Sequence, residues 1–154
     1  MKLWIPAFLI SVCVSFAECD FIKLDRKAMA QYRNSESLQE IRHALGKAQD
    51  CFESKGLHLI FGDELPSEYA YASFLLYMRI LNIALHTEDY DLARSALDQL
   101  LATFRFSVDG LEREERALLV IHGWRSMENR SESPRWESRN LDSLLLSFIE
   151  NLEE

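Results

Sequence analysis

The amino-acid sequence predicts an all-α fold: a compact domain of five to six helices, arranged as antiparallel hairpins around a buried central helix, with one N-terminal disulfide. Two observations carry this prediction. Apolar residues recur at helical spacing along most of the chain, and the segments between these stripes are short and polar. One long stretch, residues 69–78, contains no charge, which is typical of a helix surrounded by its neighbours.

The first 17 residues have the order of a cleavable secretion signal. Lys2 gives a positive start, and residues 3–16 are uncharged and mostly apolar. Ser15 and Ala17 then supply the small residues that signal peptidase needs just before its cleavage point. Glu18 follows at once. We therefore expect a signal peptide over 1–17 and export to the periplasm or the medium.

Two other roles for this segment stay open. A retained membrane anchor would need about 20 apolar residues to span a bilayer, and the apolar run here is shorter. A lipoprotein anchor would need a cysteine preceded by a small residue, whereas Val12 precedes Cys13 and Glu18 precedes Cys19. Cleavage is the better prediction on both counts.

Residues 18–154 are long enough for one domain with a single core, and we predict one all-helical domain there. The whole chain has a net charge of −8, and loss of Lys2 with the signal would make it −9. This charge disfavours nucleic acid and anionic membrane surfaces, which require clustered Lys and Arg. It suits solubility or a basic partner.

Cleavage would reduce the three cysteines to two, Cys19 and Cys51. In an oxidising compartment such a pair predicts a disulfide between the start of the domain and the second helix. The alternative is a redox-active or metal-binding thiol pair. It would be expected to show a Cys-x-x-Cys spacing or a neighbouring His, and neither occurs.

Helical periodicity predicts a first helix over 21–33 and a second helix from Ser37 to Gly56. Ser37 and Glu40 form a capping box at the start of the second helix. The apolar stretch 57–61 is too short for a helix, so we expect extended chain packed over the core.

The central helix is predicted over 66–86, beginning at a proline whose missing N–H is harmless there. A tight turn over 87–89 separates it from a helix that continues to about residue 104. Because the turn is short, these two helices must pack antiparallel.

This hairpin resembles one tetratricopeptide repeat. The stretch Thr-Glu-Asp-Tyr-Asp-Leu-Ala over 87–93 is similar to the turn of that repeat, with Ala93 as the small residue that lets the helices approach. Leu81 and Leu100 depart from the pattern, and no second copy follows at the repeat length of about 34 residues. The resemblance implies close packing of the two helices, and we assign no ligand-binding residue from it.

A second capping box, Asp109 with Glu112, predicts a helix that buries Leu118. Residues 130–138 are polar, contain a proline and lack periodicity, so we predict a loop. Asn140 is placed to cap the last helix.

No catalytic motif, cofactor motif or metal site stands out. The exported chain has four histidines, and none lies three or four residues from another His or from a Cys: His43, His58, His86 and His122. Nucleophile elbows and glycine-rich phosphate loops are absent from the sequence. We therefore predict no cofactor, no metal and no enzymatic activity.

Arg79 and Asn82 interrupt the otherwise apolar central helix and are the candidate buried polar residues. A buried arginine must find a partner. We expect a structural ion pair with Asp50, Glu53 or Asp98, and a ligand contact is the alternative.

A basic, tryptophan-containing region surrounds the predicted polar loop of this acidic chain. Arg and Trp are enriched in the residues that dominate binding at protein interfaces. The predicted partner surface comprises Trp124, Arg125, Arg130, Arg135, Trp136 and Arg139. The alternative is that both tryptophans belong to the core and the arginines only solvate the loop.

These features favour an exported, non-catalytic protein-binding module that acts as an adaptor, inhibitor or immunity factor on another protein. A carrier of an apolar small ligand, held in a cavity beneath the central helix, is the second possibility. An enzyme of unfamiliar design is the third, and it would need convergent polar groups in a cleft.

Mass spectrometry of the exported protein tests the signal prediction. We expect the mature chain to begin at or near Glu18, because Ala17 ends the small-residue pattern. An exported chain that still begins at Met1 would contradict cleavage.

Overall fold

The computed structural model describes residues 19–60, 64–103 and 141–152, together with six single residues: Glu115, Leu118, His122, Pro134, Trp136 and Glu137. Five helices have bounds in this part of the chain: α1 (Phe21–Asn34), α2 (Leu38–Ser54), α3 (Ser67–His86), α4 (Tyr90–Thr103) and α5 (Leu141–Leu152). The described residues contain no strand. The predicted all-α fold is confirmed.

Several predictions concern residues outside this set. The signal peptide over 1–17, the capping box at Asp109 and the cap at Asn140 all lie outside the described residues. Glu115 and Leu118 are helical, where the sequence predicts a helix. The expected burial of Leu118 is wrong, because its side chain is 37% exposed.

Three of the helices have a side-chain cap at their N-terminus. Asp20 Oδ1 accepts a hydrogen bond from the Lys23 N–H at 3.3 Å, and Ser37 Oγ accepts one from the Glu40 N–H at the same distance. The predicted capping box is only half formed, since the Glu40 carboxylate accepts from Ser35 Oγ rather than from the Ser37 N–H. Asp89 Oδ1 accepts from the Leu92 N–H at 3.3 Å and begins α4.

The prediction of extended chain over 57–61 is wrong for its described residues. Leu57–Leu59 form a 3₁₀ turn. Gly56 adopts the left-handed conformation, with φ 71°, and reverses the chain after α2. The Ile60 N–H then donates to the Leu57 carbonyl at 3.2 Å, so the backbone satisfies itself locally. Leu57 packs on the core, whereas Leu59 is 74% exposed.

Helix α3 is the centre of the domain, as predicted. Every residue from position 73 to position 85 is buried, and α3 packs against each of the other four helices. Its middle residues, among them Met78 and Leu81, are fully buried. The mostly apolar sequence of α3 is therefore explained by neighbours on all sides.

The α3–α4 hairpin makes the most extensive helix contact among the described residues. Glu88, with φ 57°, and a hydrogen bond from the Asp89 N–H to the Ala84 carbonyl at 2.9 Å turn the chain after α3. Ala93 and Ala96 of α4 are fully buried and leave room for close approach. Arg42 of α2 pairs with Asp89 at 2.5 Å and holds the turn against α2.

The predicted disulfide joins Cys19 to Cys51, with the two Cα atoms 5.9 Å apart. It ties the residue before the cap of α1 to the last turn of α2. The rings of Phe21 and Phe52, each close in sequence to one of these cysteines, contact each other in a tilted arrangement, with centroids 4.9 Å apart and an interplanar angle of 47°. Among the described residues, no helix has the length and hydropathy to cross a bilayer.

Replacing both cysteines by alanine, Cys19→Ala with Cys51→Ala, should lower the free energy of unfolding by about 3 kcal/mol. The bond closes a loop between positions 32 apart in sequence, and losing it frees the unfolded chain. Urea unfolding without reductant measures the difference. Adding reductant should lower the free energy of unfolding of the parent protein by the same amount and leave that of the variant unchanged. A loss below about 1 kcal/mol in the variant would contradict the stabilising role of the disulfide.

Candidate functional site

A connected set of polar and aromatic side chains crosses the domain between α1 and α3. We call this set the polar column. Its members are Asp25 and Tyr32 of α1, Arg79, Asn82 and His86 of α3, and Trp136 and Glu137 from the segment before α5. Asp25 and Tyr32 lie seven residues apart, which places them on one face of α1, two turns from each other.

Arg79 is the most deeply buried charge of the column, with 1% of its surface exposed. Its Nη1 atom lies 3.8 Å from Asp25 Oδ1. Its guanidinium carbon also lies 5.9 Å from the centroid of the Tyr32 ring, within cation–π range. The predicted burial of Arg79 is therefore observed. The ion pair seen among the described residues is with Asp25 of α1, which was not among the expected examples Asp50, Glu53 and Asp98.

Asn82 links α3 to both neighbouring parts of the column. Its Nδ2 atom donates to the Tyr32 hydroxyl at 2.8 Å and to Glu137 Oε2 at 3.3 Å. Its Oδ1 atom is buried and accepts no hydrogen bond from the described residues. Both Nδ2 donors are thus used, and they connect α3 with α1 and with the segment before α5.

Trp136 is half-buried and packs at one end of the column. Its Nε1 atom donates to the backbone carbonyl of Tyr32 at 2.7 Å. Its ring meets Tyr32 and His86 edge-on, with centroids 5.2 Å and 5.0 Å away. The Nδ1 atom of His86 lies 2.9 Å from the Asn82 carbonyl. The segment that contains Trp136 is therefore attached to both α1 and α3.

The predicted partner surface is only partly described. Trp136 is the one member that lies among the described residues. Its contacts favour the alternative in which this tryptophan belongs to the core. The other five members, Trp124, Arg125, Arg130, Arg135 and Arg139, lie outside the described residues. For them the surface stays a prediction.

Asp25 has an unusual electrostatic setting. Burial raises the pKa of its carboxyl group, and the Arg79 guanidinium offsets that effect only in part. The pair is separated by 3.8 Å, longer than a hydrogen bond, and Asp25 Oδ1 accepts none from the described residues. The carboxylate is therefore poorly compensated when it is charged.

A second polar cluster fastens α2 to α3. The Tyr77 hydroxyl donates to Glu53 Oε1 at 3.1 Å, and Gln49 Nε2 donates to the same oxygen at 3.2 Å. Burial, with the neighbouring Glu53 carboxylate, raises the pKa of Tyr77, so the hydroxyl stays protonated and keeps donating. These side chains satisfy one another's hydrogen-bonding groups, which indicates a structural role for the cluster.

A surface groove opens between α1 and the first turns of α3. It has a volume of about 470 Å³ and is open to solvent. We call it the α1–α3 groove, and it is lined by Ile22, Asp25, Arg26, Ser67, Glu68, Tyr71 and Ala72. Asp25 belongs to both the groove and the polar column. Its carboxylate therefore lies between the groove and the buried Arg79.

Within the described residues, no three His, Cys, Asp or Glu side chains come together as metal ligands. His43 and His122 are exposed, and His58 and His86 lie in different parts of the fold. Comparison of the chain with protein-family models, curated proteins and solved structures found no match. The functional argument therefore rests on the geometry and the sequence of this chain.

Exchanging the buried arginine, Arg79→Met, should lower the free energy of unfolding by about 3 kcal/mol, because Asp25 would lose its nearby cation in a mostly buried site. The double variant Asp25→Leu with Arg79→Met removes both charges and should recover most of that loss. Urea unfolding provides the measurement.

The control is Arg94→Met on the exposed face of α4, which should change the free energy by less than about 0.5 kcal/mol. A double variant as unstable as the sum of its two single variants would show that Asp25 and Arg79 do not interact.

Proposed function

We propose that this chain is an exported, non-catalytic helical protein-binding module of the adaptor, inhibitor or immunity-factor kind. Export rests on the signal pattern over 1–17. The partner is another protein, and binding involves the arginine-rich region around the segment before α5. One observation carries the proposal: the polar column attaches that segment to the helical scaffold through Trp136 and Glu137.

The attachment matters because Arg135 is the chain neighbour of Trp136, and Arg139 follows Glu137 by two residues. Binding residues are often carried on segments that a rigid scaffold holds in place. A segment tied down before binding loses less conformational entropy when the partner arrives. The hydrogen bonds from Trp136 to Tyr32 and from Asn82 to Glu137 therefore favour a recognition role for the neighbouring arginines.

Two other functions have less support. A carrier of an apolar ligand would need space beneath the central helix, whereas residues such as Leu76 and Met78 in the middle of α3 are fully buried against their neighbours. An enzyme would need polar groups converging on a substrate. The Asn82, Tyr32 and Glu137 side chains instead bond to one another.

The triple variant Arg130→Ala, Arg135→Ala and Arg139→Ala tests this proposal. The parent protein is used to isolate its partner from the native envelope or medium, and mass spectrometry identifies that partner. We expect the triple variant to bind the identified partner at least about tenfold more weakly, a loss of about 1.4 kcal/mol, with an unchanged melting temperature.

A matched control removes three exposed cations from other elements: Lys47 of α2, Lys55 directly after α2, and Arg94 of α4. Alanine at those three positions changes the net charge equally and should leave binding within about twofold of the parent. Unchanged binding by the Arg130, Arg135 and Arg139 variant would remove the proposed surface.

A further inference from the structure

The α1–α3 groove combines a deep carboxylate with apolar walls and an aromatic rim. The Asp25 side chain is 13% exposed, and it is less accessible than the other charged side chains that line the groove. Ile22 and Ala72 are partly buried against the core. Tyr71 is 48% exposed, and Glu68 is exposed beside it in the first turn of α3.

We propose that this groove binds the lysine or arginine side chain of a basic protein segment, with the cationic group at Asp25 and the aliphatic stem against Ile22 and Ala72. This inference rests on the proposed protein-binding function and names the chemistry of the partner at one place. Tyr71 contributes its ring face to the cation at the rim.

The state of Asp25 is the main reason. Among the described residues, Arg79 is the only cation within 4.0 Å of this carboxylate, and at 3.8 Å it is too far for a hydrogen bond. A partner cation in the groove would approach Asp25 from the solvent side and supply the close, hydrogen-bonded contact that Arg79 does not make. The bound cation would also compensate the Asp25 carboxylate for the hydration that it loses on burial.

The remaining charges decide the sign of the ligand. Glu68 adds a second carboxylate at the rim, so an anionic ligand would meet Asp25 and Glu68 together. Two cations oppose a cationic ligand: Arg26, which lines the groove, and Arg79, which lies beneath Asp25. Arg79 is 1% exposed and does not line the groove, so a cation bonded to Asp25 from the solvent side lies closer to the carboxylate than to Arg79. Arg26 is exposed, and solvent screens its repulsion more than it screens the attraction of the largely buried Asp25.

Two features point to a side chain of a protein rather than to a free amine. The groove is open to solvent, so a polypeptide can continue past its mouth. Asp25 also lies about 10 Å along α1 from Tyr32, whose carbonyl accepts the Trp136 hydrogen bond, because the two residues are seven positions apart. One partner can therefore contact the groove and the surface beside Trp136 together. The chain's net charge of −8 further favours a basic segment.

Nuclear magnetic resonance titration of the exported protein tests the inference. The probes are three capped tripeptides with a central Lys, Arg or norleucine between alanines, at low ionic strength. We expect the Lys and Arg peptides to shift the amide signals of Asp25, Tyr71 and Ala72 saturably, with Kd on the order of 1 mM. The norleucine peptide has no charge and should produce no saturable shift.

Variants then assign the contact. Asp25→Asn should weaken Lys-peptide binding at least about tenfold. Because Asp25→Asn also alters the pair with Arg79, the exposed substitutions Glu68→Gln and Tyr71→Ala provide a second reading, and each should weaken binding a few-fold without affecting the fold. Arg26→Gln should strengthen binding, because it removes a repelling charge. Asp91→Asn on the exposed face of α4 is the matched control and should change nothing.

Binding should also weaken as the pH falls. Only the charged form of Asp25 attracts the cation, and burial raises the pKa of this group, so the loss begins at a higher pH than for an exposed aspartate. Asp25→Asn should abolish that part of the pH dependence.

Three results would overturn the inference: equal binding of the norleucine peptide, shifts confined to another surface, or affinities unchanged in Asp25→Asn, Glu68→Gln and Tyr71→Ala alike. Binding of the free diamine cadaverine with no binding of either charged peptide would also overturn it, because the ligand would then be a small amine. If the peptides fail while the isolated partner still depends on Arg130, Arg135 and Arg139, the groove inference fails and the protein-binding function stands.

Discussion

The burial of one guanidinium organises this domain. Arg79 lies in the middle of a helix whose neighbours exclude water, so its charge requires compensation from other elements. The Asp25 carboxylate and the Tyr32 ring, both on α1, provide it. Asp25 and Tyr32 lie on the face of α1 that turns towards the core, together with the buried residues Phe21 and Ala28. On the same face, the Tyr32 hydroxyl accepts a hydrogen bond from Asn82, and Asn82 also donates to Glu137.

The helices were predictable because periodicity is local. Asp20, Ser37 and Asp89 cap their helices through neighbours three residues away, and Cys19 and Cys51 are the only cysteines left after the predicted signal. The burial of Arg79 was also predictable, since an uncharged run precedes it. The turn at Gly56 was not, because a short apolar stretch is compatible with several backbone conformations.

The partners of the buried residues could not be predicted for a different reason. Pairing depends on which helices meet, and any of several carboxylates suits an arginine. The seven-residue spacing of Asp25 and Tyr32 was the available signal, since it places an acid and an aromatic hydroxyl on the core-facing side of α1. Trp136 could be either a surface anchor or a core residue in the sequence, and its bond to the Tyr32 carbonyl depends on a contact across 104 positions.

The covalent link between Cys19 and Cys51 has a consequence for local opening. Helix α1 carries one side of the polar column, and Cys19 sits directly before its cap, so α1 cannot swing away from α2 at that end while the bond is intact. Fluctuations that expose α1 amides must then begin at Asn34, the opposite end, beyond Tyr32. Amide exchange along the hydrogen-bonded part of α1, from Leu24 onwards, would accordingly be graded, slowest near Leu24 and fastest near Asn34, instead of uniform.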